Sequence, residues 1–110
     1  MERTDTVIRP GSDPVTLINV FDVTPSKQQQ LVDLLTDGTE QVMKHRPGFV
    51  SVNIHASNDG TRVVNYAQWR TLEDVKAVIA DPEAQGYAKR AAELAEASPH
   101  VYSVVSVHHA

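Results

Sequence analysis

Residues 49–69 read FVSVNIHASNDGTRVVNYAQW. Two runs rich in Val, Ile, Tyr and Trp flank Ser57-Asn58-Asp59-Gly60, and a polar, glycine-ended break between β-forming runs is a hairpin signal. The spacing predicts strands over 49–56 and 61–70. If Ala56 pairs with Thr61, then Ile54 faces Val63, Val52 faces Asn65 and Val50 faces Ala67. Side chains alternate along a strand, and directly opposed residues share a face. One face then carries Val50, Val52, Ile54, Val63, Asn65, Ala67 and Trp69. The other carries Phe49, Ser51, Asn53, His55, Arg62, Val64, Tyr66 and Gln68. The first face suits packing beneath helices. The second is too polar for a dry core and too rich in Phe, Val and Tyr for open water, which suits a sheet-to-sheet contact between two subunits.

The remaining elements follow on either side. Residues 15–23 (VTLINVFDV) are β-branched and bounded by prolines, so they read as a strand. Thr24-Pro25 has the form of an N-cap followed by proline at the first helical position. Leu31, Leu35, Gly38, Val42 and His45 recur at helical spacing, which predicts an amphipathic helix over 25–46, stopped by Pro47-Gly48. Thr71 caps a short helix through Ala80, with Asp74 placed for a reciprocal cap. Asp81-Pro82 opens another helix carrying Ala84, Tyr87, Ala91 and Leu94 on one face, up to Ser98-Pro99. Residues 101–107 are the expected last strand. The order is β-α-β-β-α-β with a split second helix: an α+β, ferredoxin-like antiparallel sheet with helices on one face. Residues 1–14 are expected to form a flexible N-terminal arm and 15–110 a single domain.

Composition narrows the function. The chain has 110 residues, enough for one domain whose small core gains from oligomerisation. It has no cysteine, so disulfides, iron–sulfur clusters and thiolate metal sites are excluded. The net charge is −4 with no basic run, which argues against nucleic acid as a partner. No apolar stretch approaches a membrane span, and the polar start of the chain has no signal-peptide form, so a cytoplasmic protein is expected. His108-His109 are adjacent on an extended segment and point apart, a poor chelate, and no metal site is expected. A serine elbow, a phosphate-binding glycine loop and a clustered carboxylate pair are all missing from the sequence.

Two asparagines stand out. Asn65 is the one polar side chain of the hairpin's helix-packed face, and Asn19 interrupts Val15, Leu17, Phe21 and Val23 in the same way. A buried amide needs a partner. Trp69 shares the parity of Asn65 and brings an indole N–H. An apolar cavity with a few convergent polar groups is the usual form of a small-molecule pocket. The alternative is that both amides bond nearby backbone and that Trp69 is ordinary core.

The run Pro47-Gly48-Phe49, followed by His55-Ala56-Ser57-Asn58-Asp59-Gly60-Thr61 and Val63-Val64-Asn65-Tyr66-Ala67-Gln68-Trp69, resembles the antibiotic-biosynthesis monooxygenases, and most of all their anthrone-oxidising members of the actinorhodin type. The resemblance implies a homodimer in which two sheets form a shared α/β barrel. It also implies a pocket in each subunit, and oxidation of a tricyclic phenolic substrate to a quinone by O2 with no flavin, haem or metal. It makes Asn65 and Trp69 the candidate catalytic residues and Asn19, Phe21, Val75 and Tyr87 the candidate substrate-binding residues. A tyrosine of those enzymes falls at Val75, and an arginine falls near Ala88, with Lys89 and Arg90 beside it. Haem-degrading relatives place a histidine where this chain has Tyr87, which argues against haem. A non-catalytic binding or stability module, or an aromatic cyclase or isomerase of the same fold, is the competing reading.

Overall fold

The computed structural model describes residues 4–110. Strand β1 (Gly11–Asp22) leads into helix α1 (Pro25–Gln41) and a single 3₁₀ turn at Met43–His45. Strands β2 (Phe49–Ala56) and β3 (Arg62–Trp69) follow, then helices α2 (Leu72–Ala80) and α3 (Pro82–Leu94), and strand β4 (Glu96–Val104). The strands form one antiparallel sheet in the order β2-β3-β1-β4, the ferredoxin-like arrangement. Among the described residues no helix is long and apolar enough to cross a membrane.

The punctuation residues act largely as their chemistry dictates. Asp81 caps α3 by accepting the N–H groups of Glu83 and Ala84 at 2.9 and 3.3 Å, with Pro82 behind it. Thr71 accepts the Asp74 N–H at 3.1 Å. The Asp74 carboxylate, however, takes the Thr71 hydroxyl at 2.9 Å and makes no reciprocal backbone cap. Thr24 precedes Pro25 as expected but offers no side-chain cap. Gly60 takes φ +80° in the hairpin turn, where Asp59 gathers Thr61 N–H, the Thr61 hydroxyl and the Ser57 hydroxyl at 3.0, 2.7 and 2.8 Å.

Several boundaries differ from the sequence reading, among them the end of the last strand, which falls at Val104 and not at residue 107. The first strand starts four residues earlier, at Gly11, through an irregular pairing with β4 between Gly11 and Thr16. The first helix ends at Gln41, and the residues up to His45 tighten into the 3₁₀ turn. The last helix stops at Leu94, so β4 begins at Glu96 and takes in Ser98-Pro99. Proline is tolerated there because β4 is an edge strand.

The hairpin register also shifts by two residues. Ala56 pairs with Val63, Ile54 with Asn65 and Val52 with Ala67. A two-residue slip preserves the faces, so most of the face assignment survives. A bulge between Phe49 and Ser51 changes the strand's first residues. Phe49 now opposes Trp69 and meets its ring edge-on at 5.6 Å beneath the helices, while Val50 turns outward and is 44% exposed.

On the helix side, β1 and β3 are matched in four rows: Val15 with Trp69, Leu17 with Ala67, Asn19 with Asn65, and Phe21 with Val63. The first two rows join Val42, Val75, Val78 and Ala84 in one apolar cluster. The last joins Leu31 and Ala91 in another. The asparagine row lies between them, so the core is divided at the middle of the sheet.

Candidate active site

That division opens a cavity between the sheet and α3. Its larger lobe, about 330 Å³, is lined by Leu17, Val52, Ala67, Trp69, Val78 and Ala84 among others. The smaller, about 170 Å³, runs toward Phe21, Leu35, Gly38, Tyr87 and Ala91. Asn19, Met43, Asn65, Ala84 and Ala88 border both lobes. The volume comes from α3, where Ala84, Ala88 and Ala91 succeed one another at helical spacing and none has a side chain long enough to fill the gap.

The polar groups here are few. Asn65 Oδ1 is buried and accepts no hydrogen bond from the described residues. Leaving such an acceptor unmade costs about 1–3 kcal/mol in a folded protein. Asn19, directly across the ladder from Asn65, accepts the Ser98 N–H at 3.0 Å through its Oδ1. Trp69 is 2% exposed and walls the larger lobe. Asn65 and Trp69 are four residues apart on β3, roughly 13 Å along an extended strand, so the amide and the indole address different parts of a ligand. Gln85, also on that lobe, bonds the Ile79 carbonyl at 3.2 Å. Among the described residues no titratable side chain lines the larger lobe.

Tyr87 borders the smaller lobe only. Its hydroxyl donates to Asp37 at 2.7 Å, and the Arg90 guanidinium lies over its ring at 4.3 Å. The bond to Asp37, and after it burial, raise the Tyr87 phenol above its usual pKa. Gly38 on α1 makes this packing possible, since a Cβ there would stand 2.9 Å from the ring. Its small size therefore serves the Tyr87 ring.

Four of the six sequence-derived site residues, Asn19, Asn65, Phe21 and Tyr87, border the smaller lobe. Trp69 joins Asn19 and Asn65 around the larger one. Val75 borders neither; it is 1% exposed and packed in the cluster beneath. Met43, Gln85 and Pro99 line the cavity without having been singled out, and Ala88, named only through the resemblance, lines it as well. The alanine spacing on α3 was the available signal for Ala88, but Met43 and Pro99 arrive there through the shortened α1 and the early start of β4. Among the described residues no group of three or more His, Asp and Glu is placed to hold a metal ion.

Comparison with known proteins gives this geometry a context. The chain is 53% identical over 78 residues to the tetracenomycin-F1 monooxygenase of Streptomyces glaucescens, an overlap of 71% of this chain and 70% of that protein. The fold superposes with TM-score 0.79 on a monooxygenase from the ActVA-Orf6 gene of Streptomyces coelicolor, solved with the ligand nanaomycin D, at 29% identity over 89% of this chain and 93% of that one. It also shares the fold of SnoaB, a cofactor-independent oxygenase from Streptomyces nogalater, with TM-score 0.73 at 21% identity over 87% and 97% of the two chains. The family model for antibiotic biosynthesis monooxygenases matches residues 14–90, which takes in β1 from Pro14 onward, the whole hairpin and α3 as far as Arg90. On the match across that cavity and on the level of identity, the chain belongs to the antibiotic biosynthesis monooxygenase family.

Proposed function

We infer that the protein is a cofactor-independent monooxygenase that oxidises a phenolic, anthrone-type, polyketide-like aromatic to a quinone with O2. The observation that carries this reading is the apolar cavity crossed by a row of two amides, one of them holding a buried acceptor with no protein partner. A flat, largely apolar ligand with one oxygenated edge satisfies both features. The 53% identity to a tetracenomycin-F1 monooxygenase supports it.

The chemistry follows from the substrate. Dioxygen is a ground-state triplet and reacts slowly with closed-shell molecules. An anthrone that loses a proton becomes a delocalised enolate, able to pass one electron to O2. The substrate radical and superoxide combine at the ring carbon, and a proton completes the hydroperoxide. Loss of water then leaves a carbonyl. One oxygen atom is retained, and the other departs with the two hydrogens of the original methylene. The substrate itself supplies the electrons. The protein orients the ring, excludes bulk water and favours the anion. The Asn65 amide N–H serves the enolate oxygen, and Trp69 holds the far part of the ring system with its N–H available. With no titratable group among the described residues of the larger lobe, the substrate's proton is assigned to solvent on this reading.

An oxygen-electrode screen of anthrones, hydroquinones and naphthols tests this. One O2 consumed per quinone formed is expected. The competing reading, a binding module or a cyclase or isomerase of the same fold, draws on the lack of an acid or base among the described residues of the larger lobe, and on the resemblance, which sets a family tyrosine at Val75 and a family arginine near Ala88. Ligand binding without oxygen uptake across the screen would establish it. The open sheet face, with Ile18, Tyr66 and Tyr102 around an apolar groove, is the proposed homodimer contact. Sedimentation at micromolar concentration should find two chains, and a clean monomer would exclude it.

A further inference from the structure

The segment before β1 crosses the open sheet face from strand to strand. The Thr6 hydroxyl donates to the Asn53 side chain on β2. The Val7 carbonyl accepts from Gln68 of β3 at 2.8 Å. Ile8 lies in the groove with Thr16 and Ile18 of β1 and Tyr102 of β4. Successive residues thus meet successive strands of the order β2-β3-β1-β4. Strands are about 4.8 Å apart and an extended residue advances about 3.3 Å, so the segment is extended there. Beneath it the face is polar, and Thr16 and Gln68 are each 4% exposed. Its outer side differs. Alternate side chains of an extended segment point apart. Thr6 and Ile8 turn to the sheet, so Asp5, Val7 and Arg9 turn away from it. All three are exposed, and Val7 is a large apolar side chain left 39% exposed. Among the described residues neither Asp5 nor Arg9 makes an ion pair. The family match begins at residue 14, so this segment lies outside it.

We propose that residues 5–9 are a self-recognition element, through which two copies of this chain meet arm against arm. The inference rests on the proposed homodimer and names the part of that contact that fixes its register. A closed dimer has a two-fold axis, so residue i meets residue j of the second copy and j meets i. When the axis crosses the segment at right angles, the two arms run antiparallel. Centred on Val7, that arrangement stacks Val7 on its own symmetry mate and sets Asp5 against Arg9 at both ends. Parallel arms would set Asp5 against Asp5 and Arg9 against Arg9. The order Asp-Thr-Val-Ile-Arg therefore selects one direction, and opposite charges across an interface set register and partner more than they add affinity. The arm also converts the polar end of the face, with Ser51, Asn53 and Gln68, into an apolar surface continuous with Ile18 and Tyr102 of the groove.

Sedimentation equilibrium of the full chain gives the dimer dissociation constant. Asp5→Arg and Arg9→Asp each turn two attractions into two repulsions and should weaken the dimer about tenfold at low salt. The double variant Asp5→Arg/Arg9→Asp should return to within about twofold of wild type, because the pairs are restored with their signs exchanged. In about 1 M salt, where the screening length falls to about 3 Å, all four proteins should converge. The altered residues are exposed, and circular dichroism on the same samples checks that each variant folds. Because the chain has no cysteine, a thiol cross-linker reads position directly. Val7→Cys should be joined into covalent dimers by an ethane-bridged bismaleimide. Thr4→Cys lies three residues from the axis, so its two copies are about 20 Å apart and should stay unlinked. A wild-type dimer whose affinity neither reversal changes, or equal cross-linking at both positions, overturns the arm contact and leaves the sheet-face dimer standing. Reversals that the double variant fails to rescue overturn the antiparallel pairing. A monomeric wild-type protein defeats the arm contact and the homodimer together.

Discussion

The two faces of the sheet treat their polar residues in opposite ways. On the open face, Ser51 donates to Gln68 at 2.8 Å, and Asn53 donates to Ser51 and to the Tyr66 carbonyl, each at 3.1 Å. Gln68 donates to the Val7 carbonyl at 2.8 Å and to the Tyr66 hydroxyl at 3.2 Å, and Thr6 bonds Asn53. Every amide there is engaged, and the segment before β1 is tied across it. Gln68 is 4% exposed as a result. On the helix side, Asn65 is left with a buried oxygen unbonded at the middle of an apolar cavity. Networks that are complete contribute order, whereas an orphaned group in a cavity is open to a partner from outside the protein, a ligand or a water.

This contrast can be broken at its two extremes. Asn65→Ala should lower turnover by about 10²–10³-fold on whichever substrate the oxygen-electrode screen identifies, the usual loss for an oxyanion donor. Its melting temperature should change little, because the removed oxygen has no protein partner. Gln68→Ala should do the reverse. It strands the Ser51 hydroxyl and the Val7 carbonyl and should cost about 1–3 kcal/mol in urea unfolding. The specific activity of its folded fraction should be unchanged. Loss of stability in Asn65→Ala with full activity would make that amide a structural one and remove the contrast.

Much of this was legible in the sequence, for a definite reason. Asn19 and Asn65 stand out because period-two alternation makes a single polar residue on an apolar strand face conspicuous. Their direct pairing across β1 and β3 was not legible, since it depends on the order of non-adjacent strands. The hairpin faces survived a wrong register because the error was an even number of residues. Phe49 and Val50 did not survive, because a bulge inserts one residue and reverses parity locally, and nothing in Pro47-Gly48-Phe49-Val50 signals it. Val75 was placed by resemblance alone, and packing puts it in the core. The β4 boundary was missed because Ser98-Pro99 is a strong breaker in a helix yet harmless on a sheet edge.

Trp69 sharpens the comparison, since it belongs to both roles. Its ring packs against Phe49 and is nearly fully buried, while it also lines the larger lobe of the cavity. Trp69→Phe keeps an aromatic wall and deletes the N–H. Turnover should fall by up to about tenfold with a smaller change in KM, as for a donor whose bond strengthens in the transition state. An increase in KM at constant kcat would reduce the indole to a binding surface.

The smallest effect concerns a carboxylate that is fully engaged and far from the cavity. Asp59 in the hairpin turn accepts three hydrogen bonds, from the Thr61 hydroxyl, the Thr61 N–H and the Ser57 hydroxyl. These bonds, with the Thr61 hydroxyl foremost, lower its pKa from 3.8 to about 2. A group whose pKa is depressed on folding contributes stability above its unfolded pKa and loses it as the pH falls through the folded value. The contribution of Asp59 is therefore complete above about pH 4 and lost on the way down to about pH 2. Asp59 is exposed, so the effect is screened and modest. Asp59→Asn keeps an oxygen for the turn but has no charge to lose. In urea titrations the wild-type protein should hold a slightly higher midpoint than Asp59→Asn at neutral pH, and the gap should close between pH 4 and pH 2. Oxygenase activity at neutral pH should be the same for both, since the turn touches neither lobe of the cavity. A gap that stays constant with pH would show that the charge contributes nothing to the turn, and a fall in activity would show that the fully bonded regions are coupled to the site after all.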